Sequence, residues 1–224
     1  MKYHDLREEV ARVARQLIDS GLVTGTSGNV SASTPEGDVL VTPSGIDYEE
    51  LEPEDVVLVD VEGKVLEGSL EPSSETPMHT GIYRARADVG AVVHTHSVFA
   101  TTLACLGWSI PPVHYMLTTL SESGRIPLAP YTTYGTEELA DYASEALGEG
   151  HNACLLQNHG TITVGERPEE AFSRTVVLEE MAEIYYRTRI AGEPILLSPE
   201  QVEEVAAKIS GYGQTKPVST DQGE

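Results

Sequence analysis

Near the start of the chain, apolar residues recur at helical spacing. Leu6, Val10, Val13, Leu17 and Ile18 fall along one stripe of residues 4–20, and Gly21 stops the pattern. The period then shortens. "NVSAS" and "DVLVTPSG" read as two short strands turned by "TPEGD", and "EDVVLVDVEGKVLEG" as a second hairpin with Glu62-Gly63 at its turn. "ETPMHTGIYRAR" returns to a helix, with Ser73 or Ser74 placed to cap it. "VGAVVHTHS" is a continuous apolar run, the mark of a strand covered on both faces. A helix over about 97–105 follows, and then the proline-broken "SIPPVHYM". "TEELADYASEALG" predicts a helix capped by Thr136 and ended by Gly148, and "NACLLQNHGTITVG" predicts two strands bent at His159-Gly160. The longest helix is expected in "RPEEAFSRTVVLEEMAEIYYRTRIAG", with Pro168 near its first turn, and a short one in "PEQVEEVAAKIS".

Helices flank the strands, no Gly/Ser-rich or charged linker divides the chain, and no repeat is present. The expectation is one α/β domain over residues 1–210, followed by a polar, mobile tail over 211–224. Frequent hairpins favour an antiparallel or mixed sheet, and no G-x-G-x-x-G follows the first strand to suggest a dinucleotide fold. Within 224 residues, 40% hydrophobic content suffices for a sizeable core. No apolar run approaches the roughly 20 residues that span a bilayer, and "MKYHDLREEV" does not read as a signal peptide. A soluble, cytoplasmic protein without membrane contact is expected. The formal charge of −22, from 36 acids against 14 bases, argues against a nucleic-acid partner. It also means that any anion site must be built locally against the mean field. Cys105 and Cys154 form no CxxC pair and are expected to be buried small hydrophobes.

Candidate chemistry gathers where apolar runs end. In a strand, alternate side chains share a face, so His94 and His96 would project together, about 6.5–7 Å apart along the chain. Two imidazoles so placed suit one ion with bonds of about 2.0–2.1 Å. Further ligands must come from elsewhere: His159 stands in "LLQNHGT", and Glu75 follows two serines at a helix start. His79, four residues after Glu75 and on the same helical face, competes as a ligand. His114 lies in a loop that suits packing or catalysis, while His4 and His151 sit in polar surroundings. Three histidines and one carboxylate form a nitrogen-rich set suited to zinc. Three turns, "TGTSGN" at 24–29, "TPSG" at 42–45 and "EPSSE" at 71–75, carry no Lys or Arg. They read either as ordinary turns or as backbone nests that hold an anion by amides and hydroxyls.

The ordered set "GTSGNVS", "VTPSGI", "PSSE", "AVVHTHS", "IPPVHYM", "APYTTYGT", "LLQNHGT" and "GYG" covers nearly the whole chain and resembles the class II aldolase/adducin family. The resemblance implies a three-layer α/β/α sandwich around a central, mainly antiparallel sheet. It also implies a homotetramer with sites between subunits. It implies one Zn2+ per subunit on His94, His96 and His159, with Glu75 as fourth ligand and as the base. Gly28, Asn29, Ser44, Gly45, Ser73 and Ser74 would hold a substrate phosphate. Tyr115 would be the general acid from a neighbouring subunit, and Tyr212, in the C-terminal tail, would help shape the aldehyde site. Tyr134 stands where related enzymes carry phenylalanine.

The implied reaction is zinc-dependent, reversible cleavage of a ketose 1-phosphate, L-fuculose 1-phosphate or a close analogue. The products would be dihydroxyacetone phosphate and a small aldehyde such as L-lactaldehyde. The motifs contain no lysine to support a Schiff base. Rival readings are an L-ribulose-5-phosphate 4-epimerase, which carries aspartate where this chain has Glu75, and a methylthioribulose-1-phosphate dehydratase. An adducin-like binding module would lack the ligand set. A purely structural zinc site would need neither the glycine-serine turns nor Tyr115.

Overall fold

In the computed structural model, which describes residues 1–209, eight short strands close into one sheet. They are β1 (Asn29–Ser33), β2 (Val39–Val41), β3 (Val57–Val59), β4 (Val65–Glu67), β5 (Ala91–Thr95), β6 (Leu128–Ala129), β7 (Ala153–Leu156) and β8 (Gly160–Gly165). Their spatial order is β4-β3-β2-β1-β5-β8-β7-β6. Every neighbouring pair is antiparallel except β6 with β7. The helices are α1 (His4–Asp19), α2 (Thr76–Ala85), α3 (Val98–Cys105), α4 (Glu137–Leu147), α5 (Pro168–Ala191) and α6 (Pro199–Ile209). No helix among the described residues is long and apolar enough to cross a membrane.

Strand alternation sorts the core into layers. From β5, Ala91 and Val93 pack with Val10, Val13 and Leu17 of α1. From β7, Ala153 and Leu155 pack with Leu103 of α3 and with Leu178 and Met181 of α5. On the opposite face, Val92, Cys154, Leu156, Ile162 and Val164 meet Met78 and Ile82 of α2 and Leu139 and Ala143 of α4. The result is the expected α/β/α sandwich with a mainly antiparallel sheet. Both faces of β5 are covered, which is why "AVV" shows no apolar-polar alternation.

Several local expectations change. Neither Ser73 nor Ser74 caps α2: Glu75 occupies the N-cap position, and Pro77 sits in the first turn. Ser73 Oγ is instead used inside the turn, accepting from Glu75 N–H at 3.2 Å. Strand β5 ends at Thr95, so His96 lies one residue beyond it. The two-residue β6 and the 3-10 turns Pro53–Asp55 and Tyr115–Thr119 were not anticipated. Cys154 is buried, but Cys105 is exposed at the end of α3. Thr136 does cap α4, accepting from Leu139 N–H at 3.2 Å. The proposed tail at 211–224, and with it Tyr212, lies outside the described residues.

Candidate metal centre and phosphate cleft

The register of β1 on β5 sets Asn29 opposite His94. Directly opposed residues share a face, here the one that receives the N-terminus of α2 and therefore Glu75. His94 is fully buried. Its Nδ1–H donates to the Thr161 carbonyl oxygen at 2.9 Å, which leaves the lone pair on Nε2. That Nε2 stands 3.0 Å from Glu75 Oε2 and 2.9 Å from His96 Nε2. His159, at the turn between β7 and β8, brings its Nε2 to 3.1 Å from Glu75 Oε1. The turn holds because Asn158 takes φ 54° and Gly160 follows. A methyl at Gly160 would stand 2.4 Å from the Thr95 carbonyl oxygen and 2.8 Å from His96 Cδ2. Glycine lets the turn close on the histidines.

One ligand atom from each of Glu75, His94, His96 and His159 lies within 4.8 Å of the others. Ligands at about 2.0–2.2 Å in a tetrahedron stand roughly 3.3–3.6 Å apart, so the contacts at 2.9, 3.0 and 3.1 Å need only a few tenths of an ångström of expansion. Glu75 Oε1 and His159 Nδ1 are buried without a hydrogen-bond partner. Converging imidazole lone pairs around a carboxylate, one of whose oxygens is orphaned, fit a divalent cation. Burial acts to raise the Glu75 carboxyl, but His94 and His159 outweigh it and hold its pKa well below the usual carboxylate range. Burial, with His94 and His159 adding to it, lowers the His96 pKa to about 4, so its ring is a neutral donor at pH 7. His79, the rival ligand, is outside this group. Its Nε2 meets Asn29 Oδ1, and its Nδ1 lies 2.6 Å from Ser31 Oγ.

The cluster opens into a cleft of about 280 Å³. Its lining brings together Gly28, Asn29, Ser44, Gly45, Ser73 and Ser74, the expected phosphate set, with Glu75, His96, His159 and Tyr134. Among the described residues, no lysine or arginine lines it. The turns brace each other: Ser44 N–H donates to the Glu71 oxygen at 2.9 Å and Ser73 N–H to the Thr42 oxygen at 3.1 Å. Two of the amides that a nest would offer are therefore spent within the protein. Tyr48, missed in the sequence, anchors the first turn by donating to the Gly28 oxygen at 2.7 Å, and burial pushes its pKa up to about 12. Asn29 also reaches the carboxylate, its side-chain Nδ2 donating to Glu75 Oε2 at 3.0 Å. Tyr115 is not brought to the cleft of its own chain. It is 49% exposed on the 3-10 turn and packs on His114, with ring centroids 4.7 Å apart.

Residues 8–186 match the class II aldolase and adducin N-terminal domain. The chain belongs to the class II aldolase and adducin family. It is 44% identical over 209 residues to the 5-deoxy-D-ribulose 1-phosphate aldolase of Bacillus thuringiensis serovar kurstaki, covering 93% of this chain and 97% of that one. It is 43% identical over 208 residues to the 5-methylthioribulose-1-phosphate/5-deoxyribulose-1-phosphate aldolase of Rhodospirillum rubrum, covering 93% and 92%. Among solved structures, an L-fuculose 1-phosphate aldolase superposes with a TM-score of 0.88 at 38% identity, over 92% of this chain and 96% of that one. Class II aldolases are metal-dependent lyases, and Glu75 and His94, both buried, with the half-buried His159 and the exposed His96, form a group able to hold a metal ion.

Proposed function

We infer that the protein is a zinc-dependent aldolase that cleaves a deoxyketose 1-phosphate into dihydroxyacetone phosphate and a short aldehyde. The observation that carries the reading is the cleft itself, whose lining joins Glu75, His96 and His159, grouped with the buried His94, to serine- and glycine-rich turns. A six-carbon substrate such as L-fuculose 1-phosphate yields lactaldehyde, and a 5-deoxypentulose 1-phosphate yields acetaldehyde. The hydroxyls of Ser44 and Ser74, with amides of the turns, hold the phosphate without a formal positive charge. When bound, the divalent cation supplies Lewis-acid polarisation of the substrate carbonyl.

In cleavage, a base takes the proton of the C4 hydroxyl, the C3–C4 bond breaks, and its electron pair stays with the three-carbon fragment. Tyr115 of a neighbouring copy fits the first role, because it is exposed and remote from its own cleft. In the direction of synthesis the ionised Glu75 carboxylate takes a proton from the carbon beside the carbonyl; cleavage runs the same transfer in reverse, from the protonated carboxyl to that carbon. Sites shared between subunits require an oligomer, which we take to be a homotetramer, with Tyr212 closing the aldehyde end. Residues 1–210 are taken as one catalytic domain, which we take to act on its sugar-phosphate substrate in the cytoplasm.

A panel of L-fuculose, 5-deoxyribulose and 5-methylthioribulose 1-phosphates, scored for released dihydroxyacetone phosphate, tests the reading. Release from at least one, abolished by chelation and restored by zinc, is expected. No release from any of them, with 4-epimerisation of L-ribulose 5-phosphate included as a control, would replace the aldolase with an epimerase.

A further inference from the structure

Helix α2 presents polar side chains at four-residue spacing, from Glu75 at its cap through His79 to Tyr83. Facing them, β1 presents Asn29 and Ser31 two residues apart. His79 and Ser31 are fully buried and Asn29 nearly so. Such a seam is tolerated in a core when every member is satisfied.

Here the direction of each hydrogen bond follows from the chemistry of the groups. The ionised Glu75 carboxylate only accepts, so the 3.0 Å contact is donated by Asn29 Nδ2. Asn29 Oδ1 therefore faces His79, and His79 Nε2 must carry the proton it offers. With the proton on Nε2, Nδ1 of the neutral ring accepts from the Ser31 hydroxyl at 2.6 Å, and Ser31 Oγ accepts from Tyr83 at 2.7 Å. The chain of donors runs one way, from Tyr83 to the oxygen of Glu75.

We propose that His79 is a positioning residue for the reaction: by donating from Nε2 to Asn29 it locks the amide that holds Glu75 Oε2. The other oxygen, Oε1, is then the one left without a hydrogen bond at the cleft. The proposal rests on the aldolase reading in one respect, that Glu75 moves the proton. The bland alternative is that His79 only fills the seam, in which case any amide of similar size serves equally.

His79→Gln and His79→Asn separate the two. The longer glutamine amide reaches the place of Nε2 and keeps a donor to Asn29, whereas the asparagine amide reaches only the place of Nδ1 and keeps Ser31. The readout is exchange of the dihydroxyacetone phosphate carbon-bound proton into deuterated solvent by the cation-loaded protein. His79→Asn is expected to lower kcat for exchange by about 10–100-fold with KM within about threefold. His79→Gln is expected to stay within about fivefold of the parent. Equal losses in the two variants, no loss in His79→Asn, or a loss carried by KM alone overturns the proposal.

Nitrogen-15 NMR of the cation-free chain reads the imidazole directly, without reference to activity or to the folding of a variant. A neutral ring protonated on Nε2 is expected, and a proton on Nδ1 overturns the donor order. A parent protein that exchanges no proton with any divalent cation counts against the aldolase reading, and the NMR measurement then decides the donor order alone.

Discussion

Gly160 shows how far a single missing side chain governs the metal centre. A Cβ there would overlap the Thr95 carbonyl at 2.4 Å and crowd both His96 and His94, at 2.8 and 3.2 Å. Gly160→Ala should lose about 1–3 kcal/mol of stability, as other overpacked sites do, and weaken divalent-cation binding by about tenfold or more. Thermal melts and calorimetric titration with zinc check both. Unchanged affinity would mean that β8 separates from β5 without moving the histidines. At this scale the H-x-H pair was legible, because a strand's period puts both rings on one side. The use of Asn29 was not legible: an asparagine after Ser-Gly reads as a turn residue, and only the pairing of β1 with β5 shows that it faces Glu75.

Among the elements, α3 depends on α5 for its start. Ser97 occupies its N-cap but makes no capping bond with its side chain. The Glu179 carboxylate of α5 replaces it, accepting from Phe99 N–H at 2.7 Å and Ala100 N–H at 2.9 Å. A carboxylate on the free amides of a helix start also complements the helix dipole. Glu179→Ala should cost about 1–2 kcal/mol in urea unfolding, and because His96 directly precedes this helix, zinc affinity should fall as well. Full stability in that variant would mean that water or Ser97 takes over the amides. The sequence shows a helix over about 97–105 but not what caps it, since a residue 82 positions from Ser97 leaves no local signal. The helices themselves were legible from period and punctuation, whereas β6 has two residues and therefore no period to detect.

Taken as a whole, the molecule carries its polar seam under a strongly acidic surface, and this sets its response to acid. His79 has its pKa lowered from 6.5 to about 3 in the folded state. The unfolded chain therefore binds an extra proton as pH falls below about 6.5. Stability from this group is full above 6.5 and is lost as pH falls toward 3. Glu75, whose pKa is also depressed, acts with the same sign at lower pH: its contribution is present above its unfolded value and lost as pH falls through the folded one. The thermal midpoint of the cation-free protein should decline from pH 6.5 downward, with a shallower slope in His79→Gln. A flat midpoint between pH 6.5 and 5 would show that His79 is already protonated in the native state.

The sequence by itself determined the helices, the hairpins, the covered strand at "AVVHTHS" and the residue types of the site. These are encoded in local period, turn chemistry and donor identity, which need no knowledge of what lies across the sheet. Only the tertiary structure decided that His79 meets Asn29 and stands outside the group of Glu75 and three histidines, that Glu75 takes the N-cap position of α2, and that Tyr115 lies away from its own cleft. Each of these depends on strand register and on which helix face meets which strand. Those are set by packing between segments far apart in the chain, and no window of sequence contains both partners.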